Sequence, residues 1–339
     1  MNTFIPFNET SLKQYLSIRD GEAKLGETVK IVSEDIEAAL KDEEVKIVVF
    51  GIPEDLGPRA NLGIGGSSEA WESSLSKFLN MQSNQFLSGE KILIAGHVFC
   101  EDLLELASSL NPKNENDLIK LRGLVSKVDN RVADIVKKIK SHNKLAIAIG
   151  GGHNNSYGLI KGCSEVISKA INVINLDPHA DFRPLEGRHS GNGFSYAKAE
   201  GLLDNYFVLG LHESYNSDYI LKEAEKDIFK YVTYDNIVKG RVSFEKALLE
   251  GINYIKSNPC GIELDLDSIE NMPSSASSPS GISVSEARFF LIQAIENTTV
   301  EYVHIAEGSP SLHTDGNHII GKTIAYLITD CCKTYLKKF

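Results

Sequence analysis

Eight short apolar segments alternate with longer segments of helical period along this chain. The short segments are rich in β-branched residues, which is typical of buried strands. Alternation of such strands with helices predicts a parallel sheet covered by helices on both faces. The sequence therefore predicts an α/β fold with three layers, αβα, around an eight-stranded, mainly parallel sheet. The predicted strands are residues 45–51, 91–96, 144–149, 171–176, 206–211, 229–233, 260–265 and 302–306.

For two of the helical segments, the sequence predicts both ends of the helix. Residues 114–141 carry an apolar stripe with charged residues between, which predicts a helix that packs on the core. Residues 318–336 form the last predicted helix, with lysines at its end that complement the helix dipole. Residues 1–44 have a helical pattern and are interpreted as an N-terminal appendage of a single domain that spans residues 1–339.

Three of the predicted strands end in side chains that bind metal ions. Residues 171–176 run into Asp177, His179 and Asp181, which occupy alternate positions and so point to the same side of an extended chain. Residues 260–265 end in Asp265 and Asp267 with the same spacing, and the strand at 144–149 runs through three glycines into His153. Carboxylates and imidazoles without thiols suit Mn²⁺ or Mg²⁺ better than zinc, and the two imidazoles favour Mn²⁺.

Each motif alone has a simpler interpretation. A single Asp-x-Asp is usually a solvated turn, and a single histidine is usually structural. The glycine triplet is compatible with a phosphate-binding loop, although it lacks the Lys-Ser/Thr that such loops carry. Because all three motifs follow predicted strands, they favour one metal site at the carboxyl edge of the sheet.

Composition excludes several classes of function. The formal net charge of −11 argues against nucleic acid or an anionic membrane as a partner. The five cysteines have no C-x-x-C spacing, and they fit small core residues in a reducing cytoplasm. The N-terminal residues do not have the pattern of a secretory signal, and no apolar segment approaches 18 residues, so we expect neither export nor a membrane span.

The three motifs together resemble the signature of the arginase/agmatinase/formimidoylglutamase (ureohydrolase) family. The motifs are Gly-Gly-Gly-His153, Asp177-Pro-His179-Ala-Asp181 and Asp265-Leu-Asp267, and the resemblance extends over about residues 45–330. It implies an arginase-like fold, two Mn²⁺ per chain, and a trimer or hexamer. It also implies hydrolysis of a linear amidine C–N bond by a hydroxide that bridges the two ions.

The resemblance also implies roles for single residues. Asp177 and Asp265 would bridge the two ions, with His153 and Asp181 on one ion and His179 and Asp267 on the other. Asp181 would also orient the hydroxide by accepting its hydrogen bond. Glu307, which follows the last predicted strand, would hold the cationic nitrogens of the substrate.

Substrate choice depends on the stretch Ser190-Gly191-Asn192-Gly193-Phe194. Arginases have a proton-shuttle histidine where this chain has Phe194, and agmatinases have a histidine in place of Ser190. The small residues before Phe194, together with Arg183, resemble formimidoylglutamases. His189 lies one position from the agmatinase histidine, so it is either a displaced shuttle or a surface residue. Both interpretations stay open.

Substrate carboxylates would need positively charged or amide partners. Planar guanidinium groups suit carboxylates, so Arg183, Arg188 and Arg59 are candidates to meet the two carboxylates of N-formimino-L-glutamate. Asn192 is a further candidate for substrate binding. Any of these arginines is also a candidate for a structural role.

Three functions are therefore compared. The leading hypothesis is a cytoplasmic enzyme of histidine degradation, a formimidoylglutamase that converts N-formimino-L-glutamate to L-glutamate and formamide. The alternative within the family is an arginase or another guanidino-acid hydrolase that releases urea. A third hypothesis is a catalytically silent metal-binding protein on the same fold, for which damaged ligands would be expected.

Overall fold

One β-sheet of ten strands runs through the residues that the structure, a computed structural model, describes: 3–33, 35–226 and 228–339. Residues 1, 2 and 34 of the predicted appendage lie outside the described residues, as does residue 227. The strands are β1 (Phe4–Pro6), β2 (Lys30–Ile31), β3 (Ile47–Gly51), β4 (Ile92–Val98), β5 (Leu145–Ile149), β6 (Ile171–Leu176), β7 (Leu203–Leu211), β8 (Lys230–Thr233), β9 (Cys260–Asp265) and β10 (Val300–Ala306).

The strand order brings the predicted ligand motifs to one edge of the sheet. The order is β1-β4-β3-β5-β10-β9-β6-β7-β8, with β2 also paired to β4. All pairs are parallel except β1 with β4. In the middle of the sheet, Ile149 pairs with Ile305, Ala306 with Asp265, and Leu264 with Leu176. The carboxyl ends of β5, β10, β9 and β6 are therefore level with one another.

Alternate residues of the sheet enter two separate apolar cores, which makes the fold three-layered. In β3, Ile47 and Val49 belong to one core, and Val48 and Phe50 belong to the other. The first core is completed by the helices at residues 70–78, 244–255, 284–297 and 316–336. The second is completed by those at residues 101–107, 115–141, 155–167, 193–199 and 218–225. Period-2 alternation in a buried strand thus accounts for helices on both faces.

Thirteen α-helices occur in the described part of the chain. They are α1 (Glu9–Tyr15), α2 (Ile36–Leu40), α3 (Leu56–Ala60), α4 (Ala70–Phe78), α5 (Glu101–Ala107), α6 (Glu115–Ser141), α7 (Asn155–Ile167), α8 (Gly193–Ala199), α9 (Asp218–Glu225), α10 (Tyr234–Val238), α11 (Phe244–Ile255), α12 (Val284–Asn297) and α13 (Gly316–Leu336). The side chain of Asn114 caps α6 by accepting from the Asp117 N–H at 3.2 Å, as its N-terminal position favours. Among these helices, none combines the length and the hydropathy that a membrane span requires.

The predicted fold class is confirmed, but the predicted number of strands is wrong. Eight of the ten strands correspond to the predicted apolar runs. The other two, β1 and β2, lie within residues 1–44, where only helices were predicted. They have three and two residues, too short for a pattern of their own. They exist because β3 covers one edge of β4 and the other edge offers backbone partners to both.

Candidate metal centre and substrate cavity

Four predicted ligands converge beyond the carboxyl ends of β5, β6 and β9. The Nδ1 atom of His153 lies 3.0 Å from a carboxylate oxygen of Asp177, 3.0 Å from one of Asp181 and 3.2 Å from one of Asp265. One donor atom from each of the four residues lies within 4.8 Å of the others. Three of them are essentially inaccessible, and the Asp181 side chain is 11% exposed.

A second group lies beside the first and shares Asp265 with it. His179, Asp265 and Asp267 each offer a donor atom within 4.8 Å of the other two. The Nδ1 atom of His179 is also 3.4 Å from Asp177 and 3.8 Å from Asp267. Asp177 and Asp265 thus contact members of both groups.

Both acidic motifs hold their second ligand by the same local turn. The Asp177 carboxylate accepts the N–H of His179 at 2.7 Å, and the Asp265 carboxylate accepts the N–H of Asp267 at 2.7 Å. An aspartate that bonds the backbone two residues on forms a compact turn at the strand end. The turn brings the side chain two positions later back beside the first. Asp181 adopts a positive φ of 47°, a conformation that favours glycine and is often retained at functional sites.

The glycine loop before His153 is held by carboxylates. Gly150 and Gly151 have φ values of 84° and 70°. Glu54, fully buried, accepts the N–H of Gly152 at 2.8 Å, and Glu307 accepts that of His153 at 2.7 Å. A phosphate would need these N–H groups free, so the geometry argues against a phosphate-binding loop.

A cavity of about 250 Å³ opens over the two groups of ligands. Glu307, only 3% exposed, lines it in a left-handed conformation with φ of 66°, and accepts a hydrogen bond from Ser275 Oγ at 3.3 Å. Arg183 also lines the cavity, where it donates to Asn61 at 2.9 Å and pairs with Glu186 at 2.9 Å. The lining residues are Asn61, Gly63, His179, Ala180, Asp181, Arg183, Ser190, Gly191, Tyr215, Asn216, Ile220, Asp265, Asp267, Ser275, Ala276 and Glu307.

His189 is not a surface residue and does not line this cavity. Its ring is buried, its Nδ1 accepts the Gly191 N–H at 3.1 Å, and its Nε2 lies 3.1 Å from Glu186. The geometry does not place it as a proton shuttle. Phe194, which stands where arginases have their shuttle, is buried with its ring at a right angle to that of His153.

Three other predicted substrate contacts are engaged elsewhere. Arg59 donates to the Ala107 carbonyl, and Asn192 donates to the carbonyls of Gly187 and Pro184. Arg188 forms a buried ion pair at 2.9 Å with an aspartate of α6. Their polar atoms are used to hold loops and helices together, and the structure does not bring them to the cavity.

Burial and mutual repulsion raise the pKa of several carboxyls at the site. The raised pKa values belong to Asp181, Asp265, Asp267 and Glu307. In each case burial is the larger cause, and neighbouring carboxylates add to it. Burial also opposes ionisation of Asp177, but hydrogen bonds from His153 and His179 lower its pKa to about 2. Burial opposes protonation of His179, but the hydrogen bond to Asp177 and the negative charges of Asp177, Asp267 and Asp181 together raise its pKa to about 10.

These residues fit a pair of divalent cations. Both ring nitrogens of His153 and one oxygen of Asp267 are buried without a hydrogen bond of good geometry. Clustered carboxylates and imidazoles take up protons when no cation balances them. Cation binding would release those protons and use Nδ1 of His153 and the Asp267 oxygen as ligands.

Two buried residues next to the site were not predicted as part of it. Glu263 lies 3.3 Å from His153 Nε2, and the ring of His304 lies 5.9 Å from the ring of His153. Glu263 stands two positions before Asp265, so the alternation of acids that identified Asp265 and Asp267 was a signal for it. His304 lies within an apolar strand, and only its polarity distinguishes it from its neighbours.

Comparison with known proteins agrees with the motifs. The arginase family model matches residues 45–331. A formimidoylglutamase of Macrococcus caseolyticus is 29% identical over 196 residues, which cover 58% of this chain and 56% of that protein. One from Geobacillus thermodenitrificans is 24% identical over 329 residues, covering 94% and 92%. The crystal structure of Trypanosoma cruzi formiminoglutamase with Mn²⁺ has a TM-score of 0.70 at 18% identity, covering 91% of this chain and 98% of that chain.

The predicted similarity to formimidoylglutamases and the arginase-like fold are thereby confirmed. Because the family match extends over most of the chain, the protein belongs to the arginase family and is a hydrolase that acts on linear amidines.

Proposed function

We propose that this chain is a binuclear manganese hydrolase that converts N-formimino-L-glutamate to L-glutamate and formamide. The observation that carries the proposal is the cavity, which four of the six predicted metal ligands line together with Glu307 and Arg183. The other two, His153 and Asp177, contact the lining ligands. Its curated relatives named above are formimidoylglutamases, and the Trypanosoma cruzi relative was crystallised with Mn²⁺.

Two Mn²⁺ ions at this site would activate water as a nucleophile near neutral pH. His153 and Asp181 would hold one ion, His179 and Asp267 the other, and Asp177 and Asp265 would contact both. The chain offers these ligands after the ends of β5, β9 and β6, with only β10 between β5 and β9, so the sheet itself sets their spacing. Little rearrangement is needed, because the contacting atoms already lie within hydrogen-bonding distances of one another.

The remaining chemistry is assigned to Asp181 and Glu307. Asp181 would accept a proton from the attacking water and orient its lone pair towards the formimino carbon. When the C–N bond to the glutamate nitrogen breaks, that proton moves to the departing amine and the carbon leaves as formamide. Glu307 would bind the N–H groups of the amidine, since its carboxylate is tethered by His153 N and Ser275.

Recognition of the substrate is assigned chiefly to Arg183. Its guanidinium is held by Asn61 and Glu186 at the cavity wall, with its side chain 46% exposed. A planar cation there would attract a substrate with two carboxylates and repel cationic agmatine. The absence of an imidazole at Phe194 argues against an arginase pocket.

Parallel assays of one preparation on N-formimino-L-glutamate, arginine and agmatine test the proposal. We expect a kcat/KM at least about 100-fold higher for N-formimino-L-glutamate, because a site that pairs buried polar groups with a substrate rejects analogues strongly. Arg183→Ala should mainly raise KM, whereas Arg59→Ala should leave KM unchanged. A higher kcat/KM for urea release from arginine would assign the chain to the guanidino-acid hydrolases instead.

No turnover of any of the three by Mn²⁺-loaded protein would favour the catalytically silent metal-binding hypothesis. The family resemblance further suggests a trimer or hexamer, which light scattering in solution would measure. The five cysteines are free and buried, which suits the cytoplasmic location proposed for the enzyme.

A further inference from the structure

A buried polar network lies behind the proposed metal centre, inside the sheet. Glu263 on β9 pairs in register with His304 on β10, and Tyr302 stands two residues before His304. All three side chains are inaccessible to solvent. A carboxylate in this position is costly unless its oxygens are satisfied, so its partners are informative.

Glu263 is fixed by two donors from the neighbouring strand. Tyr302 donates its hydroxyl to Oε1 at 2.7 Å, and His304 Nδ1 lies 2.7 Å from Oε2. The Nε2 atom of His304 lies 3.2 Å from the Gly150 carbonyl. Because a carboxylate and a carbonyl only accept hydrogen bonds, both ring nitrogens of His304 face acceptor atoms. The network therefore joins Glu263 to the start of the glycine loop that carries His153.

The ring of His153 lies between this network and the ligand cluster. Nδ1 faces the carboxylates of Asp177, Asp181 and Asp265. Nε2 lies 3.3 Å from Oε2 of Glu263, close to but outside hydrogen-bond geometry, and no other described atom is hydrogen-bonded to it. A neutral imidazole carries one proton, so a lone pair on Nδ1 requires the proton on Nε2, where Glu263 is the available acceptor.

We propose that Glu263 is a positioning residue for His153. It accepts the Nε2–H of His153, which keeps the Nδ1 lone pair directed at the cation, while Tyr302 and His304 hold the Glu263 carboxylate in place. A carboxylate behind a ligand histidine fixes its ring orientation and increases its basicity, and loss of such a partner typically costs 10–100-fold in metal affinity. The inference rests on the proposed metal centre.

An alternative interpretation is that the same residues form a separate cation site. His153, Glu263 and His304 each offer a donor atom within 4.8 Å of the others. Yet both ring nitrogens of His304 already lie beside hydrogen-bond acceptors, and one oxygen of Glu263 already accepts a hydrogen bond from Tyr302. A cation there would also need His153 to coordinate through both nitrogens. The hydrogen-bonded network accounts for these contacts without a further ion.

Titration of metal-free protein with Mn²⁺ alone tests the inference without any substrate. We expect the wild type to bind two ions, and Glu263→Gln to bind the ion held by His153 about 10–100-fold more weakly. Tyr302→Phe removes one of the two hydrogen bonds that hold the same carboxylate and leaves the His304 contact in place, so it should weaken this ion less than Glu263→Gln does. Thermal unfolding of each metal-free variant separates a loss of affinity from a loss of fold.

The outcomes distinguish the proposals. If the wild type binds no Mn²⁺, the metal centre itself is wrong. If Glu263→Gln folds and binds both ions as the wild type does, the positioning role is wrong while the metal centre stands. A third Mn²⁺ that disappears in Glu263→Gln would support the separate cation site and overturn the positioning role.

A measurement on the wild type covers the case in which Glu263→Gln does not fold. Nitrogen-15 NMR of histidine-labelled protein loaded with diamagnetic Zn²⁺ reports which ring nitrogen of His153 carries the proton. A proton on Nε2, protected from exchange, is expected. Coordination through Nε2 with the proton on Nδ1 would overturn the inference.

Discussion

His189 is a buried imidazole whose two nitrogens have different partners. Nδ1 accepts a backbone N–H from Gly191, so the proton lies on Nε2, which faces Glu186. Burial, followed by the positive charge of Arg183, lowers its pKa to about 4 from an ordinary value of 6.5. The folded protein therefore keeps this ring neutral at a pH where the unfolded chain protonates it.

This difference predicts a loss of stability in mild acid. As the pH falls from about 6.5 to about 4, the unfolded state gains a proton that the folded state does not, and the free energy of unfolding should decrease by up to about 3 kcal/mol. Urea denaturation in EDTA at several pH values would measure it. His189→Asn should remove that part of the pH dependence, whereas His318→Asn, at an exposed position of α13, should keep it. Equal pH profiles for wild type and His189→Asn would contradict the prediction.

At the scale of elements, α7 packs on α6 through two glycines. A Cβ atom at Gly158 would lie 2.8 Å from the backbone oxygen of Asp129, and one at Gly162 would lie 2.7 Å from Cβ of Val136. Because α7 begins two residues after His153, the seating of α7 on α6 also supports the ligand loop. Gly123, on the exposed side of α6, has nothing within 4 Å of its Cβ position.

Gly162→Ala and Gly123→Ala should therefore have opposite effects. Both gain about 1 kcal/mol of helix propensity. Gly123→Ala should keep that gain, but Gly162→Ala forces two helices apart, and overpacking of this kind costs about 1–3 kcal/mol. Their difference in free energy of unfolding, measured with denaturant, isolates the packing. Two variants of equal stability would show that α6 and α7 move apart without cost.

Sequence patterns predicted those elements in which consecutive residues show a pattern of burial. Apolar runs identified the eight longer strands, and the acids that end them identified the ligand cluster. β1 and β2 were missed because they depend on backbone pairing with β4 rather than on their own residues. The placement of β10 between β5 and β9 also has no local signal, because it follows from packing of the whole sheet.

Side-chain partners around the site were less predictable. Arg59, Arg188 and His189 have the right chemistry for substrate binding or proton transfer. The short helix α3 and the segment after β6 instead turn them towards Ala107, Asp129 and Glu186. Spacing along the chain indicates a direction only where the backbone is regular. Beyond the strand ends, the tertiary structure decides which polar groups meet.

At the scale of the whole molecule, the proposed metal centre concentrates negative charge in the interior. The chain has a formal net charge of −11, and Asp177, Asp265 and Glu307 are among its buried carboxyls. Burying like charges together is unfavourable unless they are protonated or balanced by cations. The metal-free protein therefore carries a destabilising cluster at the edge of its sheet. A loss of stability of this kind is common at sites that activity requires.

Mn²⁺ should consequently stabilise the protein strongly, by about 4 kcal/mol when its free concentration is 1,000 times the dissociation constant.

Asp265→Asn should stabilise the metal-free protein at pH 8 and abolish the stabilisation by Mn²⁺. The amide can still accept the Asp267 N–H, but it removes the carboxylate that both ligand groups share. The metal-free variant should melt above the metal-free wild type, and added Mn²⁺ should neither raise its melting temperature nor restore activity. Asp134→Asn, at an exposed site on α6, should behave as the wild type. Thermal unfolding with EDTA or with Mn²⁺ measures all three proteins. A metal-free Asp265→Asn that melts below the wild type would show that repulsion among these carboxyls is not the cost inferred here.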